Sequence, residues 1–494
     1  MSKNFLNSLS SVNNEKTTEN GQFAYKSTNS SLIDLFGTIG ALRSRSEQDI
    51  NSAFEKAFCE DNLLALKMLF YARDILEGLG ERRTFRTIAT YMASAHTEAM
   101  RKNLKIIPDF GRWDDLYIFV GTPLERDAFT IMKEQYEKDL SEMALNHPVS
   151  LLAKWLKSVN TSSAESKTLG RLTAKYFGLS EKDYRKSVAS LRNYIDIVET
   201  KMSQNNWSSI DYEKVPSKAS NNYSDAFKRH DEERYTEFLN AVESGEKKIN
   251  AKAIMPYDII KTYLDKMFSY GYWGKTLEPD KLTEEQWKAL PDFVNGDKDF
   301  LIMADVSGSM RGLPMEVSVS LAIYFAERNK GLYHGNFMTF SSKPELITLR
   351  DDWNLYSKCN ETIHADWGGS TNLEAAFSMI LEAAKRGNVS NDDLPKALVV
   401  ITDMEIDYAC AGISFTKLMK QKYKDAGYDM PVIVWWNVDA RADTFHSNYK
   451  DDSVRFISGC SAATFKGLCE HMGSTPYELM VETLNDPRYD SVRI

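Results

Sequence analysis

Cysteine is scarce in this chain, and the little there is does not pair. Five cysteines (Cys59, Cys359, Cys410, Cys460 and Cys469) are scattered over 494 residues, with no C-x-x-C pair. That excludes a disulfide framework and a zinc pattern, and it fits a reducing, cytoplasmic setting. Long hydrophobic runs are missing too. No stretch approaches the roughly 18 consecutive apolar residues of a membrane span, so no membrane partner is expected. The first thirty residues are rich in Ser, Asn, Thr and Lys and hold no apolar signal core, so secretion is not expected. They read instead as a disordered arm, 1–30. Catalytic signatures are also absent. There is no G-x-x-x-x-G-K-S/T phosphate loop, no G-x-S-x-G elbow and no H-E-x-x-H pair.

A basic excess is lacking as well: the net charge is -9. Lys and Arg number 42 against 44 Asp and Glu over residues 1–300, and 19 against 26 over 301–494. The first part is thus close to neutral and the second acidic, which does not by itself mark a nucleic-acid binder. The segment 151–201 departs from this, with ten basic residues against five acidic ones.

What is present is apolar periodicity of two kinds. From Ser31 to about residue 285 the spacing is helical. Leu63, Leu64, Leu66, Met68, Leu69, Ala72, Ile75 and Leu76 are one such stretch, with Asp61 as its cap. Further helices are expected near 31–41, 82–103, 125–144, 149–158, 163–176, 181–202, 222–242 and 253–270. Strand signals are scarce there. Stacked helix pairs without an exact repeat predict a degenerate α-solenoid of HEAT-like character over 31–285; a compact irregular bundle is the alternative. From 299 to 494 the pattern changes. Apolar runs at 300–304, 335–340, 346–349, 397–401, 432–437 and 454–458 alternate with helices, which predicts a mostly parallel, doubly wound sheet. The run 346–349 reads as an antiparallel edge. Residues 286–298 carry turn and charged residues and read as the linker between two separate modules. The fold class expected is multidomain, α plus α/β.

Asp305-Val306-Ser307-Gly308-Ser309 ends the first apolar run of the sheet region, just before a helix. One carboxylate and two hydroxyls share a turn there, the kind of hard-oxygen set that Mg²⁺ takes while keeping several waters. Gly368-Gly369-Ser370-Thr371-Asn372-Leu373 opens a later helix and offers another hydroxyl, from Thr371 or its neighbour Ser370. Asp403 follows the apolar run 397–401. Ligands collect at the carboxyl ends of parallel strands in an open α/β sheet, so these stretches are expected to meet at one edge.

Asp305, Ser307, Ser309, Thr371 and Asp403, in this order, resemble the metal-ion-dependent adhesion site of the von Willebrand factor A (vWA) domain and fill all five of its positions. The resemblance implies a Rossmann-like vWA domain over 299–494, Mg²⁺ (or another divalent cation such as Mn²⁺) as cofactor, and a protein partner that presents a carboxylate to the metal. A helical module followed by a vWA domain resembles in turn the Ro ribonucleoproteins, whose ring of helical repeats is the TROVE module. Residues 18–270 are closer to an uncharacterised Ro-like family. Gly80-Glu81-Arg82, Asp109-Phe110-Gly111-Arg112-Trp113-Asp114-Asp115-Leu116, Ser150-Leu151-Leu152-Ala153-Lys154-Trp155-Leu156 and Lys228-Arg229-His230-Asp231-Glu232-Glu233-Arg234 are among the stretches that carry this. The Ro resemblance implies RNA binding; the closer family implies no established activity.

Candidate RNA contacts follow from local charge. Arg82 and Arg86 share one helix face. Arg112 stands beside Trp113, a base-stacking aromatic. Lys154, Lys157, Arg171 and Lys175 lie in the basic segment. Lys228, Arg229 and His230 are followed by an acidic run that weakens them. Each set also has a structural reading as a solvated or salt-bridged helix face. Glu405 and Asp407 lie close to Asp403 in sequence; Glu405 reads as an outer-sphere or surface charge, and His364 and Asp366 as turn residues. Two functional readings result: a non-enzymatic RNA-binding protein, and a metal-dependent protein-interaction scaffold without RNA. A metal-dependent hydrolase lacks a general base in this sequence.

Overall fold

A computed structural model describes residues 14–268, 278–294, 300–340, 342–365, 370–409, 413–470 and 473–494. Up to Lys288 the chain is helical apart from one small hairpin; beyond it stands a six-stranded sheet with helices. The coarse expectation, helical and then α/β, holds.

The helices start where capping chemistry puts them. Asp61 accepts the Leu64 amide at 2.8 Å and opens the helix Asn62–Arg73. Its residues from Ala65 to Arg73 are all buried, so this helix is buried on every side. Three runs expected as single helices are broken in two. The run 82–103 breaks at His96, 181–202 between Tyr194 and Val198, and 222–242 at Asp231. Side chains at the breaks have other partners. His96 Nε2 lies 2.7 Å from Glu55, and Asp231 accepts from Tyr212 at 2.8 Å and Arg234 at 2.7 Å. The apolar period runs through such breaks because both halves face one core. The run 149–158 shrinks to a single turn, Leu152–Trp155, and the helix Glu47–Glu60 was not anticipated.

The sheet contains β3 (Phe300–Asp305), β4 (Asn336–Phe340), β5 (Glu345–Thr348), β6 (Ala397–Thr402), β7 (Val432–Asn437) and β8 (Val454–Ser458), in the order β5-β4-β3-β6-β7-β8. β5 is antiparallel to β4 and every other pairing is parallel. Consecutive strand residues point to opposite faces, and β7 shows it. Trp436 packs with Phe325 and Phe465 on one face, while Trp435 packs with Phe415 and His446 on the other.

Two boundaries differ from expectation. The arm 1–30 is not disordered where it is described. Residues 14–30 are ordered, with β1 (Glu15–Thr17) paired antiparallel to β2 (Phe23–Tyr25), and Tyr25 bridges to Phe445 beyond the sheet. The segment 286–298 is not a free linker in its described part, 286–294. Trp287 is buried, donates to Glu327 at 2.7 Å and packs against Tyr324.

The two halves are not separate modules either. One apolar core runs from the helices near Leu32 through the sheet to Val492. Gly40 lies so close to the end of β8 that a Cβ there would stand 2.6 Å from the Gly459 Cα. The Gly40 amide donates to Ser458 at 3.1 Å, and Ser458 donates back to the Phe36 carbonyl at 2.9 Å. The C-terminus closes over the same helices: Arg488 pairs with Asp74, and Tyr489 stacks on Phe110 at 5.7 Å. No helix among the described residues is long and apolar enough to cross a membrane.

Candidate functional site

The chain leaves β3 toward β4 on one side and returns to β6 on the other. The crevice at the carboxyl ends of β3 and β6 is therefore the switch point of the sheet, where such folds hold ligands. Asp305 ends β3, and Asp403 directly follows β6. Both are buried. Asp305 accepts the Ser307 amide at 2.9 Å and the Thr402 hydroxyl at 2.6 Å. Asp403 accepts the Glu405 amide at 3.2 Å on one oxygen and the Arg441 guanidinium on the other. The hydroxyls of Ser307 and Ser309 are 3.1 Å apart. Thr371 is buried and tied to the same edge. Its amide donates to the Asp407 carboxylate at 2.9 Å, and its carbonyl accepts the Asp407 amide at 3.0 Å. Asn372 then caps the helix Leu373–Gly387. Ser370 is partly buried beside them, while Asp366, Gly368 and Gly369 lie outside the described residues.

The electrostatics of this edge call for positive charge. Burial, and then the neighbouring Asp403 carboxylate, push the Asp305 carboxyl well above the usual carboxylate range against the pull of its hydrogen bonds. Burial draws the Arg441 guanidinium down, but Asp403, Glu19 and Asp439 more than offset it and raise it overall. The backbone is tense at the same point. Met404 takes φ 71°, rare for a residue with a side chain. It is held there by its amide on Thr402 at 3.2 Å and by His446 against its carbonyl at 3.0 Å. Two carboxylates and three hydroxyls are hard oxygen donors, a set suited to a small divalent cation. Among the described residues no three His, Cys, Asp or Glu side chains are grouped to hold a metal, so a cation at this edge depends on the hydroxyls.

The hairpin of β1 and β2 packs along the rim. Thr18 donates to the Ile406 carbonyl at 2.8 Å, the Glu19 amide to Glu405 at 2.6 Å, and Asn20 to the Glu405 carbonyl at 2.8 Å. Glu405 also takes the Thr444 hydroxyl at 2.7 Å. It is thus a buried anchor for the N-terminal segment rather than a surface charge. Asp407 likewise bridges two loops. His364 is exposed at a helix end, its ring 2.6 Å from the Asn360 carbonyl, in the turn role expected. Sequence reasoning missed Arg441, Thr402 and the hairpin. The signal for Arg441 was available: Asp439-Ala440-Arg441 follows β7 at the same sheet edge.

The basic candidates scatter. Arg82, Arg112 and Lys154 line one cavity of about 990 Å³ within the helical part. Arg43, Arg73, Arg192 and Lys218, none of them anticipated, line it too, so its walls carry seven basic residues against Glu81, Glu199 and Asp258. Arg73 is locked to Asp115 at 2.8 Å, Arg43 to Glu81 at 2.6 Å, and Lys154 lies 3.6 Å from Glu199. Arg112 sits 4.1 Å over the Trp155 ring, not on Trp113. Arg82 has no ion pair among the described residues, and burial with the charges of Arg112 and Arg86 lowers its pKa. The other candidates are outside the cavity walls. Arg86 pairs with Asp115 at 2.7 Å, Arg171 with Glu181 at 3.0 Å and Lys228 with Asp280 at 3.1 Å. Lys157 lies over Tyr117, Lys175 is exposed, Arg229 bonds its own helix at the Asp225 carbonyl, and His230 stacks on Trp207 at 4.4 Å.

Comparison with known proteins gives two profile matches. A family described as domain of unknown function DUF2828 matches residues 18–144 and 145–296, and one described as domain of unknown function DUF7788 matches 299–486. An uncharacterised protein of Acanthamoeba polyphaga mimivirus is 30% identical over 510 aligned residues, which cover 94% of this chain and 86% of that protein. The first match starts at residue 18, inside the rim hairpin, and the two matches meet in the seam before β3. The chain therefore belongs to the DUF2828 family, with its sheet region matching DUF7788.

Proposed function

We propose that this chain is a non-enzymatic, Ro-like RNA-binding protein whose helical part, a HEAT-like solenoid of the TROVE type, holds RNA in the basic cavity. The observation that carries the reading is the cavity wall, with seven basic side chains against three acidic ones in a protein of net charge -9. Arg82, with no ion pair among the described residues, supplies a guanidinium for phosphate, and Trp155 and Tyr223 supply aromatic surface for bases. The sheet part is read as a vWA domain. Asp305 and Asp403 with Ser307, Ser309 and Thr371 would hold Mg²⁺ or Mn²⁺, and such an ion supplies an open position for a partner's carboxylate. Hydrolysis is not part of the reading.

The test is RNA crosslinking of the full chain in cell extract, with an Arg82→Glu/Lys154→Glu variant beside it. Recovery by wild type that falls with salt and is lost in the variant supports the cavity. No salt-dependent RNA recovery by wild type ends the reading. A specific observation favours the second reading, a protein-interaction scaffold: Arg86, Arg171 and Lys228 are already paired with carboxylates of this chain. An Asp305→Ala variant that loses its protein partners while RNA is never recovered would select it.

A further inference from the structure

Arg441 is the one cationic side chain that the described residues place on the two buried acids of the sheet edge. It comes from the loop after β7 and bonds the Asp403 oxygen that the Glu405 amide leaves free. Its other nitrogens face two further carboxylates, Asp439 at 3.6 Å and Glu19 at 3.9 Å. The Asp403 side chain is fully buried, whereas Arg441 is one-third exposed and Glu19 more than half exposed. The guanidinium therefore has one inner partner and two outer ones within a short swing of its long side chain.

We propose that Arg441 is the built-in counter-ion of the metal edge and sets its affinity for divalent cations: arrival of the ion displaces the guanidinium from Asp403 to Asp439 and Glu19. The inference rests on the reading of this edge as a divalent-cation site. The argument is one of charge. Asp305 and Asp403 place two carboxyl groups in a buried crevice, and Arg441 already occupies one of them. A divalent cation bound between them meets the guanidinium as a like charge at close range, where little water screens it. Either the arginine leaves or the ion binds weakly. Glu19 adds a consequence. It sits on the rim hairpin, so a displaced Arg441 ties that hairpin more firmly to the site. Cation binding and the order of residues 15–25 are then linked, and each strengthens the other.

The experiment is a Mn²⁺ titration of the full chain, reading free Mn²⁺ by its electron paramagnetic resonance signal, for wild type and for Arg441→Gln, Arg441→Lys and Asp305→Asn. Arg441→Gln is expected to bind Mn²⁺ on the order of 10-fold or more tightly than wild type, because a like charge has been removed from beside the ion. Arg441→Lys keeps the charge without the fork and falls between the two. It also serves if the glutamine variant does not fold. Equal or weaker binding by Arg441→Gln or, where that variant is unfolded, binding by Arg441→Lys no tighter than wild type, overturns the counter-ion role. Asp305→Asn separates the two levels of the argument. If it binds as tightly as Arg441→Gln, or if no protein in the series binds, the metal reading fails and this inference goes with it. If Asp305→Asn loses the ion while the arginine variants match wild type, the metal reading stands and only the role of Arg441 falls.

Discussion

His446 shows how much can rest on one buried ring. It packs against Trp435, with ring centres 4.8 Å apart, and Nε2 meets the Met404 carbonyl at 3.0 Å, so the neutral ring carries its proton on Nε2. Burial holds the imidazole at about 4, down from 6.5. The folded protein therefore keeps a neutral ring while the unfolded chain takes up a proton as pH falls. The stability this contributes is complete above about pH 6.5 and is lost as pH falls toward 4; at pH 5 the loss is about 2 kcal/mol. Urea denaturation at pH 7 and pH 5 checks it. A His446→Gln variant, which keeps a donor for Met404, is expected to lose about 2 kcal/mol less between the two pH values than wild type. An equal loss in both proteins would refute the assignment. At this scale the meeting of Asp305, Asp403, Ser307, Ser309 and Thr371 at one sheet edge was legible, because each abuts a strand end or helix start. Arg441 was legible only as far as its edge: its place just after the apolar run 432–437 puts it there, but nothing in the sequence says which strand end it folds back upon.

The rim hairpin is an element that no periodicity announces. Each of its strands is three residues long, and its Ser- and Asn-rich surroundings read as disorder by composition. Its order comes from partners nearly four hundred residues away, chiefly Glu405, which takes hydrogen bonds from the Glu19 amide and from Thr444. Glu405→Ala leaves two donors without their acceptor, at about 1.5–3 kcal/mol for each bond to a charged group. Hydrogen exchange of residues 15–25 is expected to accelerate by at least about tenfold in that variant, since every 1.4 kcal/mol is a factor of ten when the hairpin opens locally. Unchanged exchange there would show that Thr18 and the bridge from Tyr25 to Phe445 hold the hairpin without Glu405. The helix breaks at His96 and Asp231 escaped notice for a related reason. A polar side chain leaves its helix for a partner distant in sequence, while the apolar spacing on either side continues undisturbed.

For the whole molecule, the change from helical to alternating periodicity near residue 299 was plain in the sequence, and so was a mostly parallel sheet with one antiparallel edge strand; the strand order was not. The same change of period suggested two separable modules, and there the physics of packing overrules pattern. Periodicity reports which face of each element is apolar, not what covers it. Here the helices from Ser31 onward cover the end of β8, the C-terminal residues close over Asp74 and Phe110, and Trp287 packs against the helix that follows β3. A core continuous across the seam predicts one cooperative transition. Urea unfolding followed by tryptophan fluorescence and by far-ultraviolet circular dichroism is expected to give coincident curves. Gly40→Ala tests the joint itself. The added Cβ would press on the Gly459 backbone at 2.6 Å, where no flexible side chain can give way. A cost of about 1–3 kcal/mol is expected, the usual range for overpacking. If the halves are one unit, both probes move together by that amount. If they are independent, the change falls where Gly40 and β8 touch, the curves separate, and part of the helical signal melts at the wild-type midpoint.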